Sequence, residues 1–254
     1  MKETIMTGYE GIDKVIGGLR TGEVTLIGGR PSMGKTSLAL QIALNAAKSG
    51  KRVTYFSAEC SPVVKELRLA SMLSGIPYYN IWKWDLTDEE WDLLKVTMRE
   101  IKKLPIRFLY TDTFQMIKYA CDDKTQPTDL IVFDYLQLIH YGFTETRDGT
   151  QDLTPNDYLK EFKKLARKYK AAVIVTSQLA RKLERRKDKH PRISDLRIEN
   201  LTADDYDQAF LIYREAYYDL DAPRDSAELT VVAPRKDVKE TVMLHWNNDK
   251  ALFE

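Results

Sequence analysis

The sequence predicts an α/β fold: a mostly parallel central sheet flanked by helices, ending in a C-terminal antiparallel hairpin. Three observations carry this expectation. Short apolar runs alternate with helical patterns along most of the 254 residues. The central runs are continuously apolar, the pattern of parallel strands covered on both faces. One strand–helix junction carries Gly29-Arg30-Pro31-Ser32-Met33-Gly34-Lys35-Thr36, which is the G-x-x-x-x-G-K-[ST] loop of P-loop NTPases in its required context.

The elements follow in order. Residues 24–27 read as the strand entering that loop, and 37–47 as the helix leaving it. Residues 53–57 read as a second strand, after which Ser61-Pro62 offers an N-cap and a proline at the first helical position. Thr87-Asp88-Glu89-Glu90 is a capping box ahead of Trp91, Leu94, Met98 and Ile101 at helical spacing. Strands are expected at 106–109 and 130–134. Thr154-Pro155 opens a further helix with Leu159, Phe162, Leu165 and Tyr169 on one face. Residues 172–177, 209–213, 229–233 and 241–245 read as the remaining strands. The last two lack a long helix between them and read as a hairpin turning near 235–239. Residues 141–153 and 181–202 read as irregular, and long loops of that kind usually serve function or are disordered. With no boundary or repeat in view, residues 1–254 are expected to form one domain.

Composition narrows the classes. Hydrophobic residues make up 43% and charged residues 30%, as in an ordinary globular protein. No apolar run approaches the ~18 residues of a membrane helix, so no membrane partner is expected, and the N-terminus lacks a signal-peptide core. A net charge of +1 confines any nucleic-acid site to a local patch. Cys60 and Cys121 lack metal-ligand spacing and read as reduced thiols of a cytoplasmic protein.

The loop assigns the first chemistry. Backbone N–H groups of Gly29, Arg30, Pro31's neighbours Ser32 and Met33, Gly34 and Ser37 are placed to surround phosphate oxygens at a helix N-terminus. Lys35 would reach the β- and γ-phosphates of ATP, and Thr36 would hold Mg²⁺. Asp134 ends an apolar strand and is the candidate second metal ligand. Tyr135 follows it, where some ATPases carry a glutamate. Glu59, at the end of the 53–57 strand, is therefore the candidate for orienting the attacking water, the alternative being a solvated acid at a helix start. Gln178 ends another strand at that edge and is placed to sense the γ-phosphate, unless it is a loop amide. Arg235 at the hairpin tip reads either as a finger acting on a neighbouring subunit or as a solvated arginine. The basic run 181–187 reads as a phosphate-contacting patch or a solvated face. Tyr78, Tyr79, Trp82 and Trp84 read as base-stacking rings or, better, as core or subunit packing.

Several motifs together make the chain resemble the C-terminal motor domain of DnaB-type replicative DNA helicases, a RecA-like ATPase. They are Arg30-Pro31-Ser32-Met33-Gly34-Lys35-Thr36, Asp134-Tyr135-Leu136-Gln137-Leu138, Ser177-Gln178-Leu179 and Asp195-Leu196-Arg197, supported by Gly75-Ile76, Asp88-Glu89-Glu90-Trp91 and Ile212-Tyr213-Arg214. The resemblance implies a hexameric ring with ATP sites between neighbours and single-stranded DNA in the channel. It makes Glu59 the catalytic glutamate, Asp134 the Walker B acid, Arg235 the finger and Arg197 a DNA-backbone contact. It also implies a helicase loader or primase as partner, in a bacterial cell or for a phage or plasmid.

Three departures accompany it. Ala233 stands at the hairpin's usual lysine, with Lys236 as a substitute cation. Ile198-Glu199-Asn200 follows Asp195-Leu196-Arg197 in place of Glu-Ser-Gly. The N-terminal primase-interacting domain and linker helix have no counterpart, which reads as a small mobile-element helicase or a motor fragment. The alternative is a RadA- or KaiC-like ATPase that does not unwind DNA.

Overall fold

The computed structural model describes residues 3–139, 144–146, 149–151 and 153–254. In chain order the elements are β1 (Thr4–Ile5), α1 (Glu10–Ile16), β2 (Leu19–Arg20), β3 (Val24–Gly29), α2 (Lys35–Lys48), β4 (Val53–Ser57), α3 (Pro62–Ser74), α4 (Tyr78–Lys83), α5 (Asp88–Lys103) and β5 (Ile106–Tyr110). They continue with α6 (Phe114–Asp122), β6 (Leu130–Asp134), β7 (Thr144–Thr146), β8 (Gly149–Gln151), α7 (Pro155–Tyr169), β9 (Ala172–Gln178), β10 (Gln208–Tyr213), β11 (Ser226–Ala233), β12 (Val238–Asn247) and β13 (Leu252–Phe253).

Nine strands form one sheet in the order β13-β12-β11-β10-β3-β9-β6-β4-β5. From β5 to β10 all neighbours pair parallel, and β11, β12 and β13 add antiparallel strands on the far side. Alternate residues of the central strands feed two cores. Ile27, Tyr55, Leu130, Val132 and Ile174 join one with α2, α3 and α5. Leu26, Phe56, Ile131, Phe133 and Val175 join the other with α6 and α7. Burial on both faces is why these strands read as unbroken apolar runs. β11 instead alternates buried and half-buried residues, as an antiparallel strand with one wetter face does.

The start signals hold in atomic detail at two helices. Thr87 and Glu90 form a reciprocal capping box on α5, and Thr154 and Asp157 do so on α7. Ser61 precedes Pro62 at the start of α3, but its side chain makes no cap bond. The C-terminal hairpin is longer than its apolar stretches and turns at Pro234–Lys236 with Asp237 at φ +53°. Lys239 already pairs with Val232, so the turn ends two residues short of the expected 235–239. Part of the irregular stretch 141–153 is a small hairpin, β7 with β8; 141–143, 147–148 and 152 lie outside the described residues.

The end of the chain clamps the phosphate loop. Gly34 has φ +103°, and a Cβ there would sit 2.6 Å from the Phe253 ring and 3.1 Å from Trp246. Only glycine meets both demands. Phe253 is fully buried, packs its ring 4.8 Å from that of Trp246, and accepts a bond on its carbonyl from the Tyr9 hydroxyl at 3.2 Å. Phe253→Ala is expected to cost about 3–5 kcal/mol in a denaturant titration, as truncation of a buried aromatic does. A loss under about 1 kcal/mol would show that β13 is not a clamp.

Candidate active site

The parallel register fixes what meets at the sheet's C-terminal edge. Gly29 pairs with Gln178 and Ser57 pairs with Asp134, so the ends of β3, β9, β6 and β4 lie side by side. Ligands bind at this edge in open α/β sheets. A cleft of about 340 Å³ opens there, lined by Ser32, Lys35, Thr36, Glu59, Asp134 and Gln178 among others.

Of the loop residues, Ser32, Gly34, Lys35, Thr36 and Ser37 line the cleft. Ser32 itself holds φ +61°. The first N–H groups of α2 have no partner within the helix and point toward the loop, which with the helix dipole suits an anion. Lys35 is buried, and its ammonium donates to the Arg30 carbonyl at 3.0 Å. Burial pushes its pKa down to about 8, partly opposed by Asp134 and Glu59. Met33 is 1% exposed and packs in the core. The Arg30 side chain turns away from the cleft. Its Nε donates to Glu184 at 2.8 Å, its second guanidinium nitrogen to the Leu179 carbonyl at 2.9 Å. Gly29, Arg30, Pro31 and Met33 are not among the residues that line the cleft.

Asp134 is fully buried and accepts four bonds. Thr36 donates from α2 at 2.9 Å, Tyr55 from β4 at 3.0 Å, Lys65 from α3 at 2.7 Å and Thr176 from β9 at 2.6 Å. Burial alone would raise its pKa; Lys65, Thr176 and Thr36 outweigh burial and hold it below the usual carboxylate range. Among the described residues no three His, Cys, Asp or Glu side chains cluster as a metal cage. A hydroxyl, a carboxylate and ligand phosphates is nevertheless how Mg²⁺ is commonly held, and Thr36 with Asp134 fits that set. Glu59 is exposed on the cleft wall, close enough to Lys35 and Tyr135 to act on both electrostatically.

Gln178 is tied to a second loop. Its main-chain N–H donates to Gln137 Oε1 at 2.9 Å, and Gln137 Nε2 donates to Ser177 Oγ at 2.8 Å and to the Arg197 carbonyl at 3.3 Å. Arg197 N–H returns a bond to the Gln178 carbonyl at 3.1 Å, while Leu179 bridges Leu196. Arg197 itself is exposed. Of the three residues that depart from the family pattern after it, two have definite places. Ile198 is buried in the core, and Asn200 takes φ +54°, a conformation asparagine tolerates better than most non-glycine residues.

Arg235 does not join its own cleft. Ala233 pairs across β11–β12 at the end where β10 begins, and Arg235 reaches Asp207 at 3.0 Å, on the edge opposite the phosphate loop. Lys236 donates to the Ile16 carbonyl. In the basic run, Arg186 turns in to Asp195 at 3.0 Å, while Arg181, Lys182, Arg185 and Lys187 are exposed. Tyr79, Trp82 and Trp84 are more than half exposed, so they are not core residues and subunit packing is the part of the expectation left for them; Trp84 stacks on Trp91 at 5.5 Å.

Sequence reading missed Lys65, Arg68, Tyr135 as a cleft wall, and Trp246. A signal for Lys65 existed: it falls one turn before Leu69 on the buried stripe of α3.

Fold and loop together define a P-loop NTPase of RecA-like architecture. Residues 4–254 match the family model described as DnaB-like helicase C-terminal domain, and the chain belongs to that family. It is 31% identical over 246 residues to replicative DNA helicase DnaB of Geobacillus stearothermophilus, covering 94% of this chain and 54% of that protein. It is 32% identical to DnaB of Helicobacter pylori strain 26695, covering 98% and 52%. The chain therefore spans about half the length of these relatives. Among solved structures it superposes at TM-score 0.86 and 26% identity on a DnaB-like replicative helicase solved with its interactions with primase, covering 98% of this chain and 61% of that one. The same score and identity relate it to a second solved structure, an ATPase domain, covering 98% and 90%.

Arg30→Ala removes a nearly buried cation from Glu184 and the Leu179 carbonyl without touching the cleft. It is expected to cost about 1–3 kcal/mol in chemical denaturation while leaving the affinity for a fluorescent nucleotide unchanged. A collapse of nucleotide affinity would show that the Arg30 side chain contacts phosphate.

Proposed function

We propose that this chain is the motor of a replicative DNA helicase: it hydrolyses ATP with Mg²⁺ and moves along single-stranded DNA as a hexameric ring. The convergence of Lys35, Thr36, Asp134, Glu59 and Gln178 on one cleft, with Gln137 bonding both the Gln178 main chain and the Arg197 carbonyl, is the observation that carries it. The names of its relatives support it.

In this reading the amides of 29–37 wrap the triphosphate and Lys35 lies against its β- and γ-oxygens. Thr36 and Asp134 hold the metal. Bound Mg²⁺ supplies charge that offsets what develops on the phosphates. Glu59 orients the water. Gln178 registers the γ-phosphate and passes its loss through Gln137 to the Arg197 loop, which grips the DNA backbone. Arg235 acts in trans on a neighbour's phosphate; its position on the far edge of its own sheet leaves it no role in its own cleft. Residues 1–254 work as one domain, in the cytoplasm of a bacterial cell or for a phage or plasmid, with a loader or primase as further partner.

A forked duplex with one labelled strand tests the proposal. Strand release that needs ATP and Mg²⁺ is expected; hydrolysis without release would favour an ATPase that regulates or recombines without unwinding. Arg235→Ala is expected to lower turnover by about 10³–10⁵-fold with nucleotide affinity retained, and unchanged turnover would reject the finger. Gln137→Ala is expected to keep basal phosphate release and to lose most of its stimulation by single-stranded DNA. Full stimulation in that variant would show that the signal takes another route.

A further inference from the structure

Lys65 has no part in the chemistry above, yet its side chain is 1% exposed and its ammonium lies 2.7 Å from Asp134 Oδ2. It enters from α3, the helix that follows Glu59, and stands 5.3 Å from the centre of the Tyr55 ring. A buried ion pair of this kind is weak as a source of stability, since desolvation of two charges offsets their attraction. Its location gives it another meaning.

Asp134 Oδ2 receives Thr36, Tyr55 and Lys65, whereas Oδ1 receives Thr176. An sp² oxygen has two lone-pair directions. Oδ2 is therefore saturated, and a fixed unit charge sits on the carboxylate that would face the metal. Lys65 and Asp134 are each about 1% exposed, so water screens the field of this charge little on the protein side of the cleft.

We propose that Lys65 is a positioning residue, the built-in counter-ion of Asp134. It holds the carboxylate in place, aimed at Thr36, before any divalent cation arrives. It also raises the Mg²⁺ concentration at which nucleotide loads, because cation and ammonium share one carboxylate. The first role stands on the geometry alone; the second rests on the ATP and Mg²⁺ reading given above.

Lys65→Met keeps the length of the side chain and removes the charge. Thermal unfolding of the wild type, Lys65→Met, Asp134→Asn and the double variant, without metal or nucleotide, tests the first role. Each single variant is expected to melt lower, and the double variant to lose less than the sum. Additive losses would overturn the pairing. Should Lys65→Met not fold alone, recovery of folded protein in the double variant has the same meaning, and no recovery overturns it.

For the second role, binding of a fluorescent ADP analogue is followed as Mg²⁺ is added. The Mg²⁺ midpoint of Lys65→Met is expected to fall by about tenfold relative to the wild type, the effect of removing a nearby like charge. An unchanged or raised midpoint overturns that role. Absence of any nucleotide binding by the wild type would instead count against the proposed function and would leave the unfolding cycle intact as a test of the pairing.

Discussion

One buried carboxylate ties this molecule together. Asp134 receives bonds from α2, α3, β4 and β9 through Thr36, Lys65, Tyr55 and Thr176, so four elements share one acceptor at the mouth of the cleft. The fold exists in a form that permits this. Parallel strands bring their C-terminal ends to one edge, and the pairing of Ser57 with Asp134 and of Gly29 with Gln178 sets those ends level. An uncompensated charge at this depth would be costly; with four donors it is held ionised and immobile. Immobility matters for phosphoryl transfer, where the protein contributes mostly position and electrostatics.

Around that point the cleft is wired outward by side-chain hydrogen bonds. Gln137 sits on the short turn after β6 and reads the Gln178 amide with one end of its side chain and the Arg197 carbonyl with the other. Arg30 reaches from the phosphate loop to Glu184 and Leu179 on the following segment. The end of β9 and the loop that carries the exposed Arg197 are thereby hydrogen-bonded to each other through one side chain, that of Gln137.

How legible this was in the sequence depended on how local its cause was. β4 and β6 fall within the bounds expected of them because a strand buried on both faces must be apolar throughout. The capping boxes of α5 and α7 were legible because each is a four-residue device. Short α1 and α4, and α6 with its Phe114, Ile117 and Cys121 stripe, escaped notice because tertiary packing rather than pattern length sustains them. β11 and β12 run past their apolar stretches because pairing continues where burial fades. In the site, the phosphate loop, Asp134, Glu59 and Gln178 were legible as strand ends. Lys65 was not, since its meaning comes from a carboxylate 69 residues away. Asn200 takes a left-handed conformation (φ +54°) that its sequence neighbours did not announce.

We propose that this cleft turns over ATP under the control of DNA bound at the Arg197 loop. Steady-state phosphate release by the unaltered chain, with Mg²⁺ present or chelated and single-stranded DNA present or absent, tests it most directly. Release that requires Mg²⁺ and rises severalfold on adding single-stranded DNA is expected. Release that ignores the metal, or nucleotide that never binds, would contradict it.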